Sequence, residues 1–314
     1  MSAPRRPRRV VDAVLLLDKP AGPSSNQALQ RARAALQAAK AGHGGTLDPM
    51  ATGLLPVALG EATKFLHDLL DADKTYEAVL VLGATTDTGD AEGTVTARRP
   101  VTCTDDEVRA AAAALTGPLL QVPPMHSALK HEGRPLYAYA RAGVTLEREA
   151  RPVTVHALQV SGIDRSDPAA PRVHLRARVS KGTYIRTLAH DLGERLGCGA
   201  HLAALRRTAV GALAVADAVP LAALEAAEPA AREAWLRPVD ALLGTLPRVD
   251  LPEPLAGRFM QGQRLVLDNA LRAPLAQAPA GPVRVYRGAR LLGVAEFAPP
   301  GRLAPQRVLA LPGP

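Results

Sequence analysis

Residues 42–53 read Gly-His-Gly-Gly-Thr-Leu-Asp-Pro-Met-Ala-Thr-Gly, and this glycine-rich stretch predicts a long loop rather than a helix or a strand. The following proline disfavours the helical region for Asp48, so its carboxylate is expected to project from an extended backbone. Gly44 and Gly45 allow another segment of the chain to approach closely. An isolated Asp-Pro pair is usually an ordinary turn. Together with His43 and the glycine pair, Asp48 instead favours a functional loop.

Predicted strands and helices alternate irregularly on both sides of this loop. Apolar patterns predict strands at 10–17, 54–59, 75–82, 94–98, 153–160 and 172–179, with 75–82 and 94–98 forming a hairpin. Helices are predicted at 26–39 and 60–70, from 104 to about 117, between Pro135 and Gly143, and between Thr183 and Gly197. Capping boxes begin two of them, Ser24 with Gln27 and Thr104 with Glu107. This order indicates a mixed α/β (α+β) sheet and not a doubly wound parallel one.

The composition changes after Leu246. Lysine is absent from there on, proline is frequent, and short strands are predicted at 283–286, 291–297 and 307–311. We therefore expect three parts: a basic tail at 1–9, a main domain at 10–247 and a small, mostly-β domain at 248–314.

The overall composition excludes several classes of protein. The chain has 314 residues, a formal net charge of +8 and two cysteines, which excludes a disulfide scaffold and a cysteine-based zinc site. The histidines lack metal-ligand spacing, and no nucleotide-binding fingerprint is present, so neither a metal nor a cofactor is expected. No signal peptide or membrane span is evident, which favours a cytoplasmic protein. The charge is compatible with nucleic acid.

The basic residues themselves are unevenly distributed between arginine and lysine. Only six are lysines, so each lysine is expected where a compact ammonium is needed. Arg186 falls in the first turn of its predicted helix if Thr183 caps it, where a cation is disfavoured by roughly 0.3–1 kcal/mol. Either its guanidinium extends to solvent, or it has an anionic partner elsewhere. If that partner is Asp48, a bidentate pair would hold the carboxylate ionised.

The sequence leaves the roles of two tyrosines and of one polar strand face open. Tyr76 and Tyr184 are two of only five tyrosines, and each is either a core residue or a stacking platform. One face of the 172–179 strand carries Arg172, His174, Arg176 and Arg178. That face is either solvated or a track for phosphates.

Several short motifs together resemble those of one enzyme family. In order along the chain they are Leu-Leu-Asp-Lys-Pro at 16–20, the loop at 42–53, Lys-Thr-Tyr at 74–76, Asp-Thr-Gly-Asp at 87–90, Ser-Ala-Leu-Lys at 127–130 and Ser-Lys-Gly-Thr-Tyr-Ile-Arg at 180–186. The chain resembles the bacterial TruB-type tRNA pseudouridine synthases over about residues 10–246. The resemblance implies a mixed, largely antiparallel sheet of the pseudouridine synthase type, followed by a PUA-like RNA-binding domain.

The resemblance also implies roles for individual residues. Asp48 is the implied catalytic residue, Arg186 its partner, and Tyr76 the ring that stacks on the extruded base. The implied substrate-binding residues are His43, Tyr184, Leu205, Lys19, Pro20, Asp90, Lys130 and Lys181, of which Lys19 and Pro20 support the loop and His43 fills the emptied position in the RNA. Two residues depart from the family pattern: His126 stands where tyrosine is more usual, and Gly44 where threonine is.

The implied activity is the conversion of the T-loop uridine at tRNA position 55 to pseudouridine, by base flipping and without a cofactor. The expected partner is the T-arm stem-loop of tRNA, bound by a monomer without an obligate protein partner. Three alternatives are a non-catalytic tRNA-binding or remodelling protein, a guide-RNA-dependent pseudouridine synthase of the dyskerin type, and a small-molecule α/β enzyme.

Overall fold

The computed structural model describes residues 8–127, 129–140, 142–275 and 277–310. Most of the predicted tail at 1–9 therefore lies outside the described residues, as does Ala128 of the motif at 127–130. The helices are α1 (Ser25–Ala35), α2 (Leu66–Asp71), α3 (Asp105–Ala113), α4 (Leu136–Ala140), α5 (Ile185–Arg195), α6 (Leu221–Ala226), α7 (Pro229–Glu233), α8 (Glu253–Met260) and α9 (Asn269–Arg272), with 3₁₀ turns at Gly60–Phe65, Val215–Asp217, Val239–Leu243 and Ala273–Leu275.

The strands supply the framework of the molecule. They are β1 (Ala13–Lys19), β2 (Ala41–His43), β3 (Thr52–Leu59), β4 (Lys74–Leu82), β5 (Ala84–Thr86), β6 (Val95–Arg98), β7 (Gly117–Gln121), β8 (Lys130–His131), β9 (Arg134–Pro135), β10 (Arg151–Asp164), β11 (Arg172–Val179), β12 (Ala200–Val210), β13 (Leu213–Ala214), β14 (Val219–Pro220), β15 (Leu236–Arg237), β16 (Arg248–Asp250), β17 (Leu265–Val266), β18 (Gly281–Arg287), β19 (Arg290–Ala298) and β20 (Arg302–Val308).

A large sheet runs in the order β14-β1-β3-β12-β4-β11-β10-β7, with β2, β13 and β15 added at its margins. The β1–β14 and β3–β12 pairs are parallel and the other pairs in this sheet are antiparallel. This confirms the predicted mixed, largely antiparallel α/β fold.

Local sequence signals account for several of these elements. Ser24 and Gln27 form the predicted capping box at the start of α1, and Thr104 and Glu107 do so for α3. On β11 the apolar residues are buried and the polar ones exposed in strict alternation, as the sequence predicts. The buried face of β11 packs with α3 and α5 in one core cluster.

Other predicted elements are wrong or displaced. The strand at 94–98 pairs with β5 and not with β4, because both edges of β4 are occupied by β11 and β12. Tyr184 and not Thr183 is the residue that precedes α5, and its side chain makes no capping hydrogen bond. The third C-terminal strand is Arg302–Val308 instead of 307–311, whose last residue lies outside the described ranges. Strands β7 and β12 were not predicted.

A second sheet, in the order β16-β18-β19-β20-β17, is built by the C-terminal segment. It packs on the first part of the chain through a shared apolar cluster that contains Leu16, Leu243 and Val294. The Tyr286 hydroxyl donates a 2.5 Å hydrogen bond to Asp240 across this contact. Among the described residues, every helix is too short or too polar to traverse a bilayer.

Candidate active site

A cavity of about 330 Å³ lies where the central strands meet three loops. Its lining comes from distant parts of the chain: Gly45, Thr46, Leu47, Asp48, Leu70, Lys74, Tyr76, Ser127, Ser180, Gly182, Thr183, Tyr184, Ile185, Arg186, Leu205 and Arg207. Five of the residues predicted for the site, namely Asp48, Tyr76, Tyr184, Arg186 and Leu205, are therefore brought together. The volume is within the range typical of small-molecule pockets, about 300–1,000 Å³.

Hydrogen bonds from a buried lysine hold the loop that carries Asp48. Lys19 Nζ donates to the carbonyl oxygens of Pro20 at 2.9 Å, Pro49 at 3.2 Å and Ala51 at 2.7 Å. The Lys19 side chain is completely buried, and burial lowers its pKa to about 8. An ammonium with three hydrogens can serve three carbonyls at once, which a planar guanidinium in this position would not do. Lys19 thus fixes the backbone on the carboxyl side of Asp48.

Arg207, which was not predicted as a site residue, holds the same loop from both sides of Asp48. This buried arginine donates from Nε to Leu54 O at 2.8 Å and from Nη2 to Gly45 O at 3.1 Å. Its own backbone lies so close to Gly53 that a Cβ there would be 2.3 Å from Arg207 O, at a φ of +102°. The only sequence signal was an arginine pair inside a strand that had not been predicted.

Asp48 and Arg186 form an ion pair at the bottom of the cavity. Arg186 Nε lies 3.0 Å from Asp48 Oδ2, and the Arg186 side chain is only 5% exposed, so the guanidinium does not extend to solvent. A bidentate pair was expected, and the observed pair is not bidentate. Arg186 Nη1 donates to Thr88 O at 3.1 Å and Nη2 to His126 O at 2.7 Å, so the rest of the fork is engaged by backbone. Arg186 thereby sets the position of the Asp48 carboxylate.

Burial and a second carboxylate oppose the ionisation of Asp48. Burial raises the pKa of Asp48 above its ordinary value, Arg186 lowers it, and the nearby negative charge of Asp90 raises it further. Asp90 is buried, and its Oδ2 lies 3.6 Å from Arg186 Nη1. Arg186 therefore favours the ionised carboxylate, as expected of such a partner, and offsets part of the effect of burial on the pKa of Asp48.

Two tyrosines and a leucine form apolar walls beside the carboxylate. Tyr76 faces the cavity from the middle of the sheet, and Leu205 does so from the adjacent β12. Burial raises the pKa of the Tyr184 phenol. The Tyr184 backbone is fixed by the buried amide of Gln121, which accepts from Tyr184 N at 3.0 Å and donates to Tyr184 O at 3.4 Å. These aromatic and aliphatic surfaces suit a flat heterocycle.

A second lysine, Lys74, lines the cavity. Lys74 Nζ donates to Ala72 O at 2.6 Å, Leu70 O at 2.7 Å and Leu69 O at 3.3 Å, at the end of α2. Burial lowers its pKa to about 8. Lys19 and Lys74 thus show the compact ammonium that the scarcity of lysine predicts, although no separate role was predicted for Lys74.

The remaining predicted site residues do not line the cavity. His43 ends β2 half-buried, and burial and then Arg207 lower its pKa. Pro20 is exposed, and Lys130 is exposed on β8. Lys181 is exposed and pairs with Asp71 at 2.7 Å.

The two departures from the family pattern affect the loop and the ion pair only indirectly. A Cβ on Gly44 would lie 2.8 Å from Leu69 Cδ1, so a larger residue there requires Leu69 to shift. His126 contributes its backbone carbonyl to Arg186, an interaction that any residue provides. In the parts of the chain that are described, no three His, Cys, Asp or Glu side chains are placed to hold a metal ion.

Comparison with family models identifies related sequences along most of the chain. The TruB family pseudouridylate synthase N-terminal domain matches residues 33–185, the tRNA pseudouridylate synthase B C-terminal domain matches 186–244, and the pseudouridine synthase II TruB C-terminal model matches 247–309. A tRNA pseudouridine synthase B of Burkholderia lata is 59% identical over 306 residues, covering 98% of this chain and 92% of the relative. One of Ralstonia nicotianae is 58% identical over 312 residues, covering 98% and 97%.

Solved structures share the fold at lower identity. A Cbf5–Nop10–Gar1 complex contains a chain that is 25% identical, with a TM-score of 0.71, covering 95% of this chain and 85% of that one. An H/ACA ribonucleoprotein bound to a substrate RNA containing 2′-deoxyuridine contains one that is 23% identical, with a TM-score of 0.70, covering 96% and 86%. The latter likeness establishes the fold alone.

Proposed function

Since the chain belongs to the TruB family of pseudouridylate synthases, we propose that it isomerises a uridine of tRNA to pseudouridine, at position 55 of the T-loop. The observation that carries the proposal is the Asp48–Arg186 pair at the bottom of a nucleoside-sized cavity with Tyr76 on its wall. The substrate is tRNA, and the protein acts as a monomer without an obligate protein partner.

The reaction breaks the N-glycosidic bond, turns the base and joins ribose C1′ to the base at C5, while the C5 hydrogen leaves as a proton and N1 takes up a proton. No group or electron is imported, so the protein's own side chains suffice. An ionised carboxylate beside the ribose is needed, either to attack C1′ or to remove the 2′ proton. Asp48 supplies that carboxylate in either route, and Arg186 holds it in place.

Access to the reacting bond requires the nucleotide to leave its stack, which costs a few kcal/mol. Stacking on an aromatic ring returns about 1–3 kcal/mol per base, and Tyr76 is the ring that faces the cavity. Tyr184 and Leu205 enclose the other side of the base. Exclusion of water by these walls strengthens every electrostatic interaction inside.

Replacing Tyr76 with alanine should lower the single-turnover rate about 10- to 100-fold, because the stacking energy is lost. The affinity for tRNA should change only a few-fold, since most of it comes from phosphate contacts. Tyr76→Phe is the matched control: it keeps the ring and should keep most of the rate. A Tyr76→Ala rate equal to that of the wild type would dismiss the stacking role.

The pH dependence of the rate should report the environment of Asp48. Because the reactive form is ionised and burial raises the pKa of Asp48, kcat/KM should fall as the pH drops, at a pH above the ordinary aspartate value of 3.8. Asp90→Asn removes a negative charge that raises this pKa, so the acid limb should move to lower pH. A limb that stays in place or moves upward in Asp90→Asn would contradict this electrostatic account.

We assign residues 10–247 to catalysis and residues 248–314 to a PUA-like domain that contacts RNA. The second sheet begins with β16 at Arg248. Residues 248–314 contain nine arginines against four acidic residues, which suits a phosphate backbone.

The proposal is tested by incubating unmodified tRNA with the purified chain alone and mapping the modified positions. The expected product is pseudouridine at position 55. A guide-RNA-dependent enzyme would leave the tRNA unmodified without its partners, and a non-catalytic binding protein would bind the tRNA and yield no pseudouridine; either result would overturn the proposal.

A further inference from the structure

An ion pair lies between two segments that line the cavity. Asp71 is the last residue of α2, and Lys181 follows β11; Lys181 Nζ lies 2.7 Å from Asp71 Oδ1. Leu70, next to Asp71, lines the cavity, and so do Ser180 and Gly182, on either side of Lys181. The pair therefore joins two segments whose neighbouring residues contribute to the cavity lining.

The Asp71–Lys181 pair contributes little to the stability of the fold. A carboxylate at the carboxyl end of a helix gains nothing from the helix dipole, which disfavours a negative charge there. The carbonyl oxygens at this helix end accept hydrogen bonds from Lys74 Nζ. The two paired side chains are 52% and 62% exposed, and pairs this exposed contribute only about 0–1 kcal/mol to stability.

Positive groups nevertheless surround this carboxylate. The hydrogen bond from Lys181 lowers the pKa of Asp71, and the charges of His67 and Lys74 act in the same direction. An anion thus lies among cationic groups beside a cavity that, under the proposed function, receives a nucleotide. The phosphates of a flipped nucleotide remain outside the pocket that holds its base.

We propose that Asp71 is an internal competitor of the substrate, which neutralises Lys181 in the free protein and is displaced by a backbone phosphate of the RNA. The inference rests on the proposed function, because it requires an RNA substrate. Lys181 exchanges a carboxylate for a phosphate, both of which accept charge-assisted hydrogen bonds. RNA that does not bring a phosphate to Lys181 cannot make this exchange, so Asp71 is a specificity-determining residue.

A double-mutant cycle on tRNA binding tests the competition. Asp71→Asn should tighten tRNA binding about 3- to 10-fold at low salt, because Lys181 becomes available, and the gain should shrink as salt is added. In a Lys181→Met background the same change should have little effect. Asp106→Asn is the control for net charge: Asp106 pairs with Arg109 on helix α3, which contributes no residue to the cavity lining, so its loss should leave the affinity unchanged.

Three outcomes contradict the inference: unchanged or weaker binding by Asp71→Asn, an equal gain with and without Lys181, and an equal gain from Asp106→Asn. An equal gain in both backgrounds would indicate general repulsion instead of competition. If the wild-type protein neither binds nor modifies tRNA, the proposed function fails together with the inference. If it does both and the cycle shows no coupling, only the inference fails.

Discussion

Replacing Asp48 with asparagine should lower the rate of isomerisation by about 10²–10⁴-fold, the range that a general base or nucleophile contributes. Asparagine has nearly the same shape as aspartate, so the cavity and the loop held by Lys19 and Arg207 should stay intact. The amide cannot ionise, and it therefore neither attacks C1′ nor accepts the 2′ proton. The affinity for tRNA should stay within a few-fold, because one side chain is lost among many phosphate contacts.

The Asp48→Asn experiment compares single-turnover product formation, measured by chromatography of digested nucleosides, with the Kd for the same tRNA. Asp106→Asn is again the control, since it removes an equal charge from an exposed side chain on a helix that does not line the cavity. An Asp48→Asn variant that forms product at a rate near that of the wild type would remove Asp48 from the chemistry.

The second large effect is expected at Arg186. Replacement by glutamine removes a buried cation that lies 3.0 Å from Asp48 and 3.6 Å from Asp90, leaving both carboxylates without this ion-pair partner. Breaking a buried pair in this way typically costs about 3–5 kcal/mol of stability. The pKa of Asp48 should rise further, so that any remaining activity appears only at higher pH.

Arg186→Lys separates charge from geometry. Lysine keeps the positive charge but cannot serve the carboxylate and the carbonyls of Thr88 and His126 with a planar fork. We expect it to recover much of the stability and little of the activity. Urea unfolding followed by circular dichroism measures the first and single-turnover assays the second. An Arg186→Gln protein with wild-type stability and rate would contradict the role assigned to this pair.

Local signals made part of the fold predictable. The capping boxes of α1 and α3 and the strict alternation of β11 each depend on residues close in sequence, and each was predicted. The mixed character of the sheet followed from the order of the elements.

Strand β12 shows where local signals end. Its sequence, Ala-His-Leu-Ala-Ala-Leu-Arg-Arg-Thr-Ala-Val, is rich in residues that favour helices, and the strand is nevertheless central in the sheet. Its conformation is imposed by pairing with β3 and β4, which come from far earlier in the chain. Because β12 was not predicted, the role of Arg207 could not be predicted either.

The site was predictable in its residue types and not in its geometry. The residues alone indicated that Asp48 shares its loop with His43 and two glycines, and that Arg186 occupies an unfavourable helix position. The roles of Asp48 and Arg186 came from the resemblance. Whether the pair was bidentate depended on backbone carbonyls of Thr88 and His126, whose placement follows from tertiary structure. The raised pKa of Asp48 likewise depends on burial and on Asp90, which no local pattern reports.

Tritium release is the most direct test of the central claim that the Asp48 carboxylate isomerises a swung-out uridine. When ribose becomes attached to C5 of the base, the hydrogen on that carbon is lost, so tRNA labelled with tritium at uridine C5 reports each turnover. The purified chain should release one equivalent of tritium per tRNA, and Asp48→Asn, at concentrations that bind all of the tRNA, should release almost none. Equal release by both proteins, or none by the wild type, would contradict the account.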